Sequence, residues 1–304
     1  ASALGFERVN PDRVLHYLHY HRGYKTDYEL ECMRLANKTA VAAHRAAESA
    51  FRQGLSEFDI NLAYLNAARQ GENQVPYCNI VALNENAAIL HYMVLENLPP
   101  QQSRSFLIDA GAGFNGYAAD ITRTYCAQEH EFSALITRVD SLTQWLATEL
   151  QPGTAYADIH REAHKGIATI LSDAEIVNLA ADEIVERGIS KTFFPHGIGH
   201  FLGLQVHDVG GHIADERGTP RPAPDAHPFL RCTRTVEARQ VFTIEPGLYF
   251  IESLLNELKA TENSQFVNWG RIETFKPFGG IRIEDNIIVH QNRVENMTRD
   301  FGLT

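Results

Sequence analysis

The sequence lacks what thiolate clusters, nucleic-acid binding and membrane insertion require. Its four cysteines (Cys32, Cys78, Cys126 and Cys232) lie far apart, with no CxxC pair among them. That spacing excludes thiolate zinc clusters and thioredoxin-like redox chemistry, and predicts buried free thiols in a reducing cytoplasm. Positive charge is short as well: 27 Lys and Arg face 38 Asp and Glu, a net charge of −11. A phosphate backbone needs a basic face, so nucleic acid is excluded as a partner. No apolar run reaches the roughly 18 residues of a spanning helix, so no membrane partner is expected. The opening ASALGFERVNPDRV has neither the basic start nor the apolar core of a secretory signal. The missing initial Met points to a processed or truncated chain. There is no tandem repeat and no low-complexity tract. At 304 residues and 44% hydrophobic, the chain can bury the core of one large domain or two small ones.

In chain order, Pro11–Lys25 reads as a short aromatic-rich helix broken at Gly23. Its His16, His19 and His21 have no carboxylates paired to them and read as an exposed or packed helix face. Thr26 and Glu29 form a capping box ahead of a long helix. Leu30, Met33, Ala36, Ala40, Ala43 and Ala47 give that helix one apolar stripe, and Gly54 ends it. Ser56 and Asp59 open a second helix running toward Gly71. Tyr77–Leu83 and Ala87–Tyr92 are predicted strands around an Asn-rich turn. Ser105–Ala110 and Tyr117–Ala127 are the limbs of a hairpin across GAGFNG. Helices are predicted at 131–150, 155–171 and 175–187. The Pro-rich stretch Asp215–Pro228 reads as an irregular surface loop. Gln240–Phe250 and Gly280–Val289 are strong strands, and the connection 251–279, with Trp269, resists assignment. Helices mixed with antiparallel hairpins, rather than strict βαβ alternation, predict an α+β fold.

The chemistry gathers around FFPHGIGHFLGLQVHDVGG (193–211), where His196, His200, His207 and Asp208 stand among glycines. Glycine lets the main chain approach a ligand closely, and neutral imidazole is the commonest metal ligand. Asp109 and Asp120 sit eleven positions apart on the two hairpin limbs. Paired buried carboxylates stay ionised only beside a cation, or else one protonates. Two plainer readings stand beside this: solvent-facing turn ends, or Asp120 bonding Thr122 and Thr124. Glu245 interrupts VFTIEPG and Glu284 interrupts GIRIEDNIIV, each in an apolar strand. For each the plainer reading is a buried ion pair, which Arg282 could supply to Glu284. Taken together, Asp109, Asp120, Glu245 and Glu284 carry −4, which two divalent cations balance. A water between two such ions loses its proton near neutral pH. Oxygen ligands with one imidazole, His200, favour Mn²⁺, with Co²⁺ and Zn²⁺ as alternatives. The pattern predicts a two-metal hydrolase.

DAGAGFNGYAADITRTY (109–125), PHGIGHFLGLQVHDVGG (195–211), TIEPGLYF (243–250) and GGIRIEDN (279–286) together closely resemble bacterial prolidases. These belong to the pita-bread metallopeptidase family, shared with aminopeptidase P and methionine aminopeptidase. The similarity covers roughly residues 11–300. The resemblance implies a curved antiparallel sheet flanked by helices. It implies that Asp109 chelates one metal, that Asp120 and Glu284 bridge the pair, and that His200 and Glu245 hold the second metal. Glu245 would also shuttle the proton from water to the leaving amine. By the same motifs His91, His196 and His207 would orient substrate and stabilise the tetrahedral intermediate. Arg282 would pair with the substrate's C-terminal carboxylate, a fit its guanidinium fork suits, and Tyr77 would line the pocket. The implied activity is cleavage of Xaa-Pro dipeptides by a metal-bridging hydroxide, with organophosphorus triester hydrolysis as a side activity. The alternatives are an aminopeptidase P-like enzyme on longer peptides and a metal-free peptide-binding module. One departure stands out: residues 1–24 read as a remnant of the family's amino-terminal domain and linker helix, and 25–304 as the catalytic domain. The full-length family is expected to form homodimers through that domain.

Overall fold

In the structure, a computed structural model, Gly5 and residues 9–304 are described; the rest of the expected amino-terminal remnant, residues 1–4 and 6–8, lies outside the described residues. Helix α1 (Asp12–Arg22) is followed by α2 (Asp27–Arg52) and α3 (Glu57–Ala68). The capping box forms as the sequence requires. The Thr26 hydroxyl accepts from Glu29 N at 3.3 Å, and the Glu29 carboxylate accepts from Thr26 N at 2.7 Å. All six stripe residues of α2 are buried, which turns the helix's apolar side against the sheets.

Strands β1 (Ile80–Leu83), β2 (Ser105–Ala110) and, after the small hairpin of β3 (Gly113–Phe114) and β4 (Tyr117–Ala118), β5 (Ile121–Cys126) follow. They make a three-stranded antiparallel sheet in the order β1-β2-β5. Helices α4 (Glu131–Glu149), α5 (Tyr156–Asp173), α6 (Ala181–Glu186) and α7 (Ser190–Phe193) lead into the glycine-histidine stretch. Then come β6 (Val241–Ile244), β7 (Gly247–Tyr249), α8 (Glu252–Lys259), α9 (Trp269–Phe275), β8 (Gly280–Arg282), β9 (Asp285–Val289), β10 (Val294–Asn296) and α10 (Met297–Asp300). The second sheet runs β10-β9-β6, and β7 pairs with β8. The largest apolar core lies between these strands and α4 and α5, with Phe132, Leu146, Ile167, Phe242 and Ile287 fully enclosed.

Several expectations need correcting. Ala87–Tyr92 is not a strand: Asn84–Ala88 is a 3-10 turn, and no strand follows it before β2. Asn84, at φ +56°, holds that turn with its side chain, accepting from Arg104 N at 2.7 Å and donating to Gln102 O at 2.8 Å. The helix expected at 175–187 shrinks to α6 because Val177 bridges Val267, and Asn178 N donates to Phe266 O at 2.7 Å. Tertiary pairing outcompetes local propensity there. The unassigned connection 251–279 is largely helical, holding α8, α9 and two 3-10 turns. The cysteines are all free, as expected, but only Cys32 and Cys232 are buried, and Cys78 is exposed. His21 does meet a carboxylate, Glu216 at 3.1 Å, in a mostly exposed pair.

Candidate metal centre

Strand register assembles the acids. Asp109 on β2 pairs with Thr122 on β5, and Thr122 is bridged in turn to Glu284. The three residues therefore form one row across adjacent strands. Asp120 lies two positions before Thr122, hence toward the same side of the chain. The long strand expected at Tyr117–Ala127 breaks there: Ala119 N bonds Ala112 O, and Asp120 N donates to the Asn286 side chain at 2.9 Å.

The other two expected strands break at their acids as well. Gln240–Phe250 splits into β6 and β7 at Glu245-Pro246, where proline has no N–H for a ladder. Gly280–Val289 splits into β8 and β9 at Ile283-Glu284, where Glu284 N leaves the local ladder and donates to Thr122 O at 3.0 Å. His200 is delivered by the glycine-rich segment, which runs alongside β6. Thr243 N donates to His200 O at 3.0 Å, and Glu245 N donates to Ile198 O at 2.8 Å. Gly199, at φ +149°, permits that approach, since a Cβ there would stand 2.2 Å from Thr243 O.

The result is a convergent, largely buried set. One ligand atom each of Asp120, His200 and Glu284 lies within 4.8 Å of the others. His200 Nε2 is 3.3 Å from Asp120 and 3.8 Å from Glu245. The Tyr77 hydroxyl reaches Asp109 at 2.7 Å and Asp120 at 2.5 Å, tying the remaining acid to the set. His207 packs edge-on against His200, ring centroids 4.4 Å apart. His91 is exposed and lines the same cavity, about 840 Å³ in volume, as His196, Glu245 and Arg282. A second cavity, about 870 Å³ and lined by Tyr77, also reaches Asp109, Asp120, His91 and His207. The ten residues that the resemblance assigns to the site line these two cavities, which share Asp109, Asp120, His91 and His207.

The electrostatics are unbalanced in the direction a cation would correct. Burial, reinforced by Asp120 and Glu245, pushes Glu284 well above the usual carboxylate range. Burial likewise lifts Glu245 to about 7, even with His200 and Arg282 beside it. Asp109 is raised by burial, partly offset by Arg282. Burial raises Asp120 as well, but the His200 contact, the Tyr77 hydroxyl and His207 together outweigh it and hold the carboxyl below its ordinary value. Four carboxylates crowded with one imidazole in a low-dielectric site match the donor set of divalent ions that prefer oxygen.

Two neighbours depart from their expected partners. Arg282 bonds Asp109 at 2.7 Å, not Glu284; its Nε donates to Thr122 and its Nη1 to the Tyr249 hydroxyl at 3.0 Å. Glu284 instead accepts from the Thr122 hydroxyl at 2.7 Å. Tyr249 escaped notice in the sequence. Its hydroxyl links Arg282 to His196 Nε2, 2.9 Å away, and its position at the end of TIEPGLY was the available signal. Asp208, in the same stretch as the histidines, is a structural acid: it pairs with Lys25 at 2.8 Å and with Arg22.

Residues 31–291 match the sequence profile of metallopeptidase family M24. The chain belongs to that family. It is 66% identical to the Xaa-Pro dipeptidase of Pseudoalteromonas atlantica over 307 aligned residues, covering the whole chain and 69% of that relative. The Xaa-Pro dipeptidase of Colwellia psychrerythraea is 59% identical with the same coverage. Among solved structures, aminopeptidase P from E. coli with the inhibitor Pro-Leu superposes with a TM-score of 0.75 at 28% identity. That match covers 94% of this chain, which spans only 59% of the aminopeptidase P chain. The curved, helix-flanked antiparallel arrangement is thus the pita-bread fold. Identity of this order over the whole chain makes it a metal-dependent peptidase. No helix among the described residues is long and apolar enough to cross a membrane.

Proposed function

We propose that the chain hydrolyses the Xaa-Pro bond of dipeptides at a two-metal centre, with residues 25–304 as the catalytic domain. The observation that carries this is the convergence of Asp109, Asp120, His200, Glu245 and Glu284 in one cavity, in a chain 66% identical to an Xaa-Pro dipeptidase. Asp109, Asp120 and Glu284 would hold one ion, and Asp120, Glu284, His200 and Glu245 the other, with Mn²⁺ the best match and Co²⁺ or Zn²⁺ as alternatives. Bound ions of this kind lower the pKa of water and polarise a carbonyl oxygen.

The chain's own side chains supply the rest. Glu245, at the wall of the cavity, would take up a proton at its carboxylate and return it to the leaving proline nitrogen. Arg282 spends three of its five N–H donors on Thr122, Tyr249 and Asp109. The two left over suit the C-terminal carboxylate of a dipeptide. His91 and His207, at the cavity wall, orient the scissile carbonyl, and Tyr77 borders the pocket for the residue before proline. His196, also at the cavity wall, has a further part beside orienting substrate. Its Nδ1 meets Gly197 O at 2.8 Å and its Nε2 meets Tyr249, so it serves by fixing Tyr249 and Arg282. Organophosphorus triesters would enter the same cavity as a side reaction, since the attack on phosphorus uses the same groups. Free thiols throughout suit a cytoplasmic protein, and a homodimer is the arrangement expected of the full-length family.

The likeness to aminopeptidase P favours a second reading, action on longer peptides. The test is hydrolysis of a Xaa-Pro dipeptide beside the matching tripeptide, with Mn²⁺ supplied and Asp120→Ala as the blank. Selective dipeptide cleavage supports the proposal; tripeptide cleavage at equal rate supports the second reading; no cleavage of either refutes both for this chain.

A further inference from the structure

A second cluster of possible ligands lies apart from the carboxylates, on α5. His160 and His164 are one helical turn apart and so project from the same face. His227 reaches them from the Pro-rich loop, its Nδ1 3.0 Å from His160 Nε2. The three ring centroids lie 4.5 to 5.0 Å apart, and Phe194 closes one side. One nitrogen from each ring lies within 4.8 Å of the others. A tetrahedral ion about 2.0–2.1 Å from each nitrogen spaces its ligands roughly 3.3 Å apart, so small side-chain rotations close the site.

Three further features suit a cation there. His160 is only 2% exposed, and the nitrogen it turns to His227 is Nε2, so an ion between the two rings would take the place of the proton they share. Two imidazoles facing each other can hold a cation as readily as a hydrogen bond. His164 Nδ1 meets the Ser190 hydroxyl at 3.1 Å. That contact fixes the ring and leaves Nε2 for an ion, as the outer contacts of metal-binding histidines do. Burial, with help from the neighbouring imidazoles and Lys191, keeps His160 and His164 neutral down to about 2 and about 3. Neutral imidazole is the form that ligates.

We propose that His160, His164 and His227 form a separate site for a divalent ion of the zinc class, which pins the 212–231 loop to α5. An all-imidazole set selects zinc over manganese, the reverse of the carboxylate centre. The loop matters because Phe229, Leu230 and Arg231 line the catalytic cavity. His227 is hydrogen-bonded through its backbone to Pro224 and Leu230, so holding His227 holds that wall. The site does not depend on the dipeptidase reading.

The test is zinc per chain after dialysis of the full chain against micromolar Zn²⁺, together with trypsin cleavage at the exposed Arg217. Wild type should bind one zinc more than His227→Ala and one more than His164→Gln. Asp120→Ala should keep a zinc that the Asp120→Ala, His227→Ala double variant loses. Zinc should slow cleavage at Arg217 in Mn²⁺-loaded wild type at least fivefold, and not in His227→Ala. Equal zinc counts in wild type and whichever single variant folds overturn the proposal. So does cleavage of wild type that zinc leaves unchanged, whatever the variants do.

Discussion

Tyr249→Phe isolates one atom on which the substrate side of the site depends. The hydroxyl lies in a fully buried side chain and makes bonds of 2.9 Å to His196 and 3.0 Å to Arg282. A neutral hydrogen bond contributes about 0.5–1.5 kcal/mol and one to a charged group about 1.5–3 kcal/mol. Phenylalanine keeps the ring, so no cavity opens, and the predicted loss of stability is about 2–4 kcal/mol. Part of that loss should appear in catalysis, because Arg282 loses one of three fixed contacts and its free N–H groups lose their aim. A KM increase of about tenfold for a Xaa-Pro dipeptide corresponds to about 1.4 kcal/mol of that anchoring. Metal content should stay unchanged, since the hydroxyl touches none of the five proposed ligands. The assay is steady-state kinetics with metal analysis and urea unfolding on the same preparation. Unchanged KM alongside lost stability would make Tyr249 a structural residue only. Metal loss would refute the separation of the Tyr249–Arg282 pair from the ions.

Other expectations concern the scaffold. Asp285 is fully buried and bonds Arg123 at 2.7 Å and Arg299 at 2.5 Å, so Asp285→Ala removes the carboxylate paired with the buried Arg123 and one of the two paired with Arg299, and should cost about 3–5 kcal/mol in urea unfolding. The half-exposed Arg138–Asp173 pair, by contrast, should change stability by less than about 1 kcal/mol when Asp173→Asn removes it. Burial holds His44 down to about 3, so the folded chain refuses a proton that the unfolded chain accepts below about 6.5. Stability from this group is full above pH 6.5 and falls as pH drops toward 3, by about 1.4 kcal/mol per pH unit. Unfolding curves between pH 4 and 7 should lose that slope, about one proton's worth, in His44→Asn; an unchanged slope would contradict it.

The parts of this fold that sequence reading captured are those whose signals are local. The capping box at Thr26, the apolar stripe of α2 and the hairpin carrying Asp109 and Asp120 all depend on residues within a few positions of one another. The candidate ligands were legible because acids are conspicuous inside apolar strands. What escaped was decided at long range. Ala87–Tyr92 carries a strand-like pattern, yet Asn84 satisfies the nearby backbone from its side chain and ends the pairing. Arg282 stands two residues from Glu284, but the row of β2, β5 and Glu284 brings Asp109 to it instead. His160 and His164 formed a readable i, i+4 pair. Their third partner lies 63 positions beyond His164, in a loop without periodicity.

The most direct test is the Mn²⁺ content of the chain, measured for wild type, Glu284→Gln and Arg282→Leu after equilibration and rapid desalting. Two ions per chain in wild type, fewer than one in Glu284→Gln and two in Arg282→Leu are the expected results, with dipeptide hydrolysis tracking the count in the first two. Two ions retained by Glu284→Gln, or none bound by wild type, would contradict the two-metal centre.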